Sequence, residues 1–291
     1  MRQFFCLPIL MVLVAAACTD VPEGAPDEAV AAEPIVTSNR IGLNRIGLNR
    51  IGLNRIGLNR IGLNRIGLNR ITNARMMINA SSVGDLLATE DGREVFSLVV
   101  SCAIPMDITL VAKVQGTTLE FPGEIGLAPQ WLSAPLDRSG QGWVSACMLA
   151  RVNVHEIALP ISMRGPRLAL LVSNDERHEF TLEEGAFFGN VFGPTNEPLQ
   201  AFACRGRDQA RGETGELIDR DCTEPDPAKP GFTQCGMMFA GDCGGFAARH
   251  SCELFAGWAS FYLDCHTAPI SSHPRPDERV FHEVITTFVT P

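Results

Sequence analysis

Lysine is almost missing from this 291-residue chain: of 24 basic side chains only Lys113 and Lys229 are lysines, and the rest are arginines. No window beyond the first 17 residues is long and apolar enough to span a bilayer, which excludes a polytopic membrane protein. The sequence has no GxSxG, no phosphate-binding P-loop and no dinucleotide fingerprint, so nothing marks nucleotide chemistry or a nucleophile elbow. It also has no persuasive pair of catalytic carboxylates. Acidic residues are absent from 39–75, which carries eight arginines.

That basic stretch holds the most informative pattern present. Six identical copies of IGLNR run from Ile41 to Arg70, flanked by the partial copies Ser38-Asn39-Arg40 and Ile71-Thr72-Asn73-Ala74-Arg75. On a helix, a step of five residues turns about 140°, so the isoleucines scatter round the cylinder, and each glycine costs about 1 kcal/mol relative to alanine. On a strand the odd period sends Ile41 and Leu43 to one face and Ile46 and Leu48 to the other. Neither element gains an apolar face. A period of five is similar to that of the pentapeptide-repeat β-helix, which needs four repeats per turn. Six copies are too few to bury a core there, and isoleucine stands where that fold wants a small residue. The block therefore reads as a disordered or extended arm.

The N-terminus supplies an address. Met1-Arg2-Gln3 is basic, Phe4 to Val14 is apolar, and Ala15-Ala16-Ala17-Cys18 follows. A short apolar core ending in small residues is a secretory signal, predicted here over 1–17. Three small residues and a cysteine resemble the lipobox of bacterial lipoproteins. That resemblance implies cleavage before Cys18, lipidation of Cys18, and a membrane partner reached through the lipidated N-terminus. Stable anchoring by two or more acyl chains is physically sound, at about 0.8 kcal/mol per buried methylene. Thr19 after the cysteine resembles the pattern exported to the outer membrane. Ordinary cleavage at the same Ala-x-Ala site is the alternative, and it leaves a soluble periplasmic or secreted chain.

Cysteine usage agrees with export. Beyond Cys6 and Cys18 eight cysteines remain: Cys102, Cys147, Cys204, Cys222, Cys235, Cys243, Cys252 and Cys265. An even set in an exported chain implies disulfides. Cys102 and Cys147, the two outside the last third, are expected to pair, and the other six to form three bridges among themselves.

Charge divides the chain. From Met76 onward there are 15 Lys+Arg against 28 Asp+Glu, a net of −13. Nucleic acid is not an expected partner for this acidic domain, whereas the arginine-spaced arm suits an anionic envelope polymer. The organisation reads as an acidic Ala/Pro tether over 18–38, the IGLNR arm over 39–75, a β-rich α+β region over 76–200, and a cysteine-rich lobe with a final strand over 201–291, packed with 76–200 as one domain. Extended, the 57 residues from Thr19 to Arg75 would reach about 190 Å, with arginines roughly 16 Å apart, beyond the Debye length of about 8 Å.

Within the domain, Val95 to Ala103 reads as a buried strand. Asp107 to Val114 and Thr117 to Phe121 read as a hairpin across Gln115-Gly116. Gly123 to Trp131 reads as a loop with a turn of helix, and Trp143 to Arg151 as a helix. Further strands are expected at Ile157 to Met163, Leu168 to Val172, more weakly Glu179 to Leu182, and finally Arg279 to Val289. Phe246 to Leu254 and Phe255 to Leu263 read as partly helical. The fold class is thus α+β, β-rich and disulfide-stapled.

Few residues suggest chemistry. Gly241-Asp242-Cys243-Gly244-Gly245 resembles the nucleophile loop of chymotrypsin-like proteases, GDSGG, and the GxCGG of viral chymotrypsin-like cysteine proteases. In that family the loop amides stabilise an oxyanion and a histidine activates the nucleophile, which would give Cys243 that role. An even cysteine set in an oxidising compartment reads the motif instead as a turn around a bridged Cys243. The dipeptides His155-Glu156, His178-Glu179 and His282-Glu283 lack the second histidine four residues on that a zincin needs. His266, His273 and His282 lack tight ligand spacing. Asp219, Asp221, Glu224 and Asp226 form an acidic loop without the EF-hand glycine. No cofactor, metal or catalytic set is assigned. Phe255, Trp258, Phe261 and Tyr262 recur at helical spacing and are candidate binding aromatics, with core packing as the alternative; Phe187, Phe188 and Phe192 are a second aromatic cluster. The expectation is an envelope protein that binds or builds, with an exported hydrolase as the competing class. The oligomeric state is not legible.

Overall fold

The computed structural model describes residues 36–38, 68–70, 75–78, 84–152, 160–192, 199–210, 222–244, 250–255, 257, 260–268 and 278–291. All fall within one compact unit, Glu33–Pro291. In chain order the strands are β1 (Val36–Ser38), β2 (Leu68–Arg70), β3 (Arg75–Ile78), β4 (Thr109–Val114), β5 (Thr117–Pro122), β6 (Pro160–Arg164), β7 (Leu182–Asn190), β8 (Gln200–Arg205), β9 (Met238–Asp242), β10 (Glu253–Phe255), β11 (Phe261–Leu263), β12 (Cys265–His266), β13 (Val280–Phe281) and β14 (Val284–Val289). The longer helices are α1 (Glu90–Ala103), α2 (Arg138–Ala150) and α3 (Asn174–Glu179). The architecture is a β-rich α+β domain stapled by disulfides.

A six-stranded sheet runs β1-β6-β14-β7-β8-β9, and a four-stranded sheet runs β2-β3-β4-β5. The first is antiparallel except between β8 and β9. The C-terminal strand β14 lies between β6 and β7, so the last residues of the chain share a sheet with strands that precede the cysteine-rich segment. In the second sheet β3 runs parallel to β4, and α1 occupies the crossover between them. That is the connection a parallel pair requires. The β4–β5 hairpin turns on Gln115 and Gly116, with φ of 51° and 82°. Two successive positive φ values suit a type I′ turn, whose twist matches the strands.

Helix α2 packs on β7 and β14, and α1 packs on α2 and β5. The Cys102–Cys147 disulfide joins the two helices, with Cα atoms 5.9 Å apart. Their buried faces form one core with Phe96, Leu98, Val99, Trp131, Val144, Leu149, Phe187 and Ile285. Phe121 meets Phe96 edge-on at 4.8 Å. Expected pairing holds in the rest: Cys204–Cys243, Cys222–Cys235 and Cys252–Cys265 are the three bridges of the last third. Four disulfides suit an oxidising compartment outside the cytoplasm. Among the described residues no helix is long and apolar enough to cross a membrane.

Several predicted elements change type. Val95 to Ala103 is helix, not strand. An apolar run of that length does not separate a buried strand from a buried helix by itself. The deciding signal lies upstream: Thr89 caps the helix by accepting from the Gly92 amide at 3.1 Å, and Glu90 and Asp91 occupy the first turn. Leu168–Leu170 is a 3₁₀ turn with Leu168 facing solvent, not part of a strand. Glu179 ends α3, which Ser173 caps through the Glu176 amide, and the strand after it begins at Leu182. The partly helical reading of 246–263 fails where the structure describes it. Glu253–Phe255 and Phe261–Leu263 are an antiparallel pair, and Ser260 sits at φ 41° just before β11. Residues 153–159, which hold Ile157, and 245–249 lie outside the described residues. The expected final strand is present as β13 and β14, broken at His282-Glu283. One described triplet of the tether and one of the arm are extended, and both are paired: β1, at the end of the tether, with β6, and β2, in the arm, with β3.

Candidate functional site

Four segments distant in sequence meet at the N-terminal end of α2. Arg138, Ser139 and Gly142 come from that helix, Gly189 and Asn190 from the end of β7, Gln200 from the start of β8, and Val280 to Glu283 from the β13–β14 junction. They enclose a cleft of about 410 Å³. That volume lies in the range of small-molecule sites.

The floor is fixed by hydrogen bonds. Asp137 caps α2, accepting from the Gly140 amide at 2.7 Å. The Asn190 side-chain amide donates to Gln141 Oε1 at 3.1 Å, while its own oxygen accepts from the Phe192 amide at 2.8 Å. Ser145 Oγ accepts from the Val191 amide at 3.0 Å. Gly142 leaves room for the neighbouring strand junction: a Cβ there would stand 2.9 Å from both Cγ and Oε2 of Glu283, which would have to shift. A bare glycine therefore lets the Glu283 carboxylate lie against the helix.

The walls carry two charges of opposite sign, Arg138 and Glu283. Neither Arg138 nor Glu283 makes an ion pair among the described residues. Arg138 stands in the first turn of α2, where the helix dipole disfavours a cation by about 0.3–1 kcal/mol. At the rim His282 Nδ1 meets Asp264 Oδ1 at 2.5 Å, with the imidazole 72% exposed. Asp264 holds its carboxylate there from a left-handed backbone, φ 45°. Ser139 lines the same cleft, but among the described residues no hydrogen bond joins it to His282.

Behind the cleft's sheet lies a buried polar cluster of a different kind. Glu183, 1% exposed, accepts from the Tyr262 hydroxyl at 2.6 Å and from Arg207 Nη2 at 2.7 Å and Nε at 3.0 Å, and the Arg207 amide adds a bond at 3.0 Å. Its neighbour Glu184 accepts from Thr287 Oγ1 at 2.6 Å. Burial, then the Glu183 carboxylate beside it, pushes the Tyr262 hydroxyl far above its ordinary pKa. The hydrogen bonds to Glu183 raise Arg207. Arg164 is held down to about 10, chiefly by burial. Its guanidinium donates to Phe180 O at 2.7 Å and to Ser162 Oγ at 3.1 Å, and lies 3.6 Å over the Phe288 ring. These groups are saturated by one another and brace the sheet.

Cys18, His155, His273, Asp219, Asp221 and Trp258 lie outside the described residues. Cys243 follows directly on β9 and is bridged to Cys204, so it holds no thiolate. The sulfurs of Cys204, Cys252 and Cys265 lie within 4.8 Å of one another. All three belong to bridges, and Cys204 Sγ rests 3.4 Å from Cys252 Sγ as two stacked disulfides rather than a metal site. The aromatics do not share one face. Phe255 is exposed and stacked on Phe261 at 4.8 Å, Phe261 is itself buried, and Tyr262 is fully buried on Glu183. Phe187, Phe188 and Phe192 are core. Among the described histidines, His178 lies in the last turn of α3, His266 pairs with Glu278 at 2.7 Å, and only His282 lines the cleft. Asp226 is spent on its own turn, accepting from the Ala228 amide at 2.8 Å.

The cleft was not visible in the sequence, apart from the His282-Glu283 pair interrupting an otherwise β-branched strand. Comparison of the chain with protein-family models, with curated proteins and with solved structures found nothing that it matches.

Proposed function

We propose that this chain is an exported, lipid-anchored envelope or surface protein of the outer membrane, and that its acidic domain binds a small polar ligand without transforming it. The lipobox-like Ala15-Ala16-Ala17-Cys18 supports the anchor, and the four disulfides support export. The observation that carries the binding reading is the cleft, where a cation (Arg138) and an anion (Glu283) have no ion-pair partner among the described residues. A fold that leaves both unpaired on one concave surface suits a ligand bearing both charges.

The test is nitrogen-15 NMR of the processed Cys18→Ala chain titrated with glycylglycine, with succinate and putrescine as controls of one sign each. Saturable shifts at Gly142, Asn190 and Glu283 with the dipeptide, weak with either control and lost in Glu283→Gln, are expected. The absence of cleft-confined shifts with all three probes would sink the binding reading.

The second reading, an exported hydrolase, has one observation in its favour. Asp264 orients His282 at the rim of a cleft that also contains Ser139, the residue types of a nucleophile–base–acid set. The missing Ser139–His282 hydrogen bond is why binding ranks first. Ester hydrolysis that disappears in both Ser139→Ala and His282→Ala would reverse that order.

A further inference from the structure

β2 consists of Leu68-Asn69-Arg70, the last three residues of the sixth IGLNR copy. It pairs antiparallel with β3 in the register Leu68↔Ile78, Asn69↔Met77, Arg70↔Met76. The opposite edge of β3 is taken by β4. One edge of β3 is therefore given over to the repeat arm.

Strand pairing uses backbone N–H and C=O groups, which every residue but proline supplies alike. The triplet Leu-Asn-Arg recurs at 43–45, 48–50, 53–55, 58–60 and 63–65. A slip by one residue would place a different triplet on β3 and swap its faces. A slip by five restores the same residues to the same partners. Only the connection to β3 then differs, growing from four residues (71–74) for the sixth copy to nine for the fifth. Loop closure disfavours the fifth copy by roughly threefold and the fourth by roughly sixfold, since the penalty scales as the three-halves power of length. Identical strands and weak length dependence leave the copies close in free energy.

We infer that the outer edge of β3 is a docking edge for the IGLNR strand as such, and that this chain's own copies compete for it. The arm is then a ladder with rungs five residues apart. Its far side is fixed as well, because β1 pairs with β6, so the 29 residues 39–67 lie between two paired strands. Moving the dock from one copy to the next transfers five residues from that segment to the β2–β3 connection and frees neither end.

The test is amide hydrogen exchange at Arg75–Ile78 in the full processed chain, with proline blocking the middle of chosen triplets. Asn69→Pro alone should lower protection by about two- to threefold, because the earlier copies take over. Adding Asn64→Pro should lower it further, and proline at 44, 49, 54, 59, 64 and 69 together should lower it at least tenfold. Protection at Val99 and Leu149, both in the hydrophobic core, serves as the folding control. A loss from Asn69→Pro as large as from all six would show that the sixth copy is unique and overturn the inference. So would an unchanged exchange rate in the sixfold variant. Protection in Asn69→Pro that rises with protein concentration would assign the strand to a second chain and overturn it too.

Discussion

The Tyr262 hydroxyl donates to Glu183 Oε1 at 2.6 Å, across 79 residues of sequence, with both side chains buried. This bond ties the β10–β11 hairpin to the central strand β7. Tyr262 is the chain's single tyrosine, so its ionisation is readable by absorbance without interference.

In the folded state Tyr262 should fail to ionise where a free tyrosine does. Its folded pKa is raised, so the bond's contribution is fully present below the unfolded value of about 10 and is lost as pH rises above it. Tyrosinate absorbance should be missing near pH 10 in native protein and present in urea. Normal titration of the native protein would contradict the buried geometry. Tyr262→Phe should cost about 1–3 kcal/mol in urea unfolding, since it leaves one bond to a buried carboxylate unmade.

The helix–helix bridge is expected to matter as much. Cys102 and Cys147 are 45 residues apart, and closing such a loop contributes roughly 4 kcal/mol in the chain-entropy account. The Cys102→Ser, Cys147→Ser double variant should lower unfolding free energy by about 2–4 kcal/mol. Alkylation without reduction should find no reactive thiol at Cys243; a labelled Cys243 would restore the protease-like reading of its loop.

Much of the scaffold was legible because its signals are local. The Gln115-Gly116 turn, the helix around Trp143 to Arg151 and the even cysteine set each carry their own chemistry. β7 was missed beyond Leu182 because two adjacent glutamates and a glycine carry no apolar strand pattern. Its glutamates are buried only because Arg207, Tyr262 and Thr287 arrive from elsewhere to satisfy them. The helical reading of Phe255 to Leu263 failed for the converse reason. Aromatic spacing suggested a face, but the backbone at Ser260 turns the segment into a strand pair. The cleft was hidden because it is assembled from α2, β7, β8 and the β13–β14 junction, and no local pattern records that meeting.

Gly142→Ala separates binding from folding. Alanine gains about 0.5–1 kcal/mol of helix propensity, offset by moving the Glu283 side chain that a Cβ would strike. Net stability should stay within about 1 kcal/mol of the parent, while the glycylglycine shifts disappear. Undiminished binding in this variant would place the ligand elsewhere.

The central claim is that the cleft's charges are kept for a ligand rather than for the fold, and Arg138 tests it most directly. An arginine in the first turn of α2 opposes the helix dipole and has no ion-pair partner among the described residues. Urea unfolding of Arg138→Gln should therefore show stability equal to the parent or higher by about 0.3–1 kcal/mol. A loss of more than about 1 kcal/mol would show that Arg138 serves the structure, and the cleft would lose its claim to be a binding site.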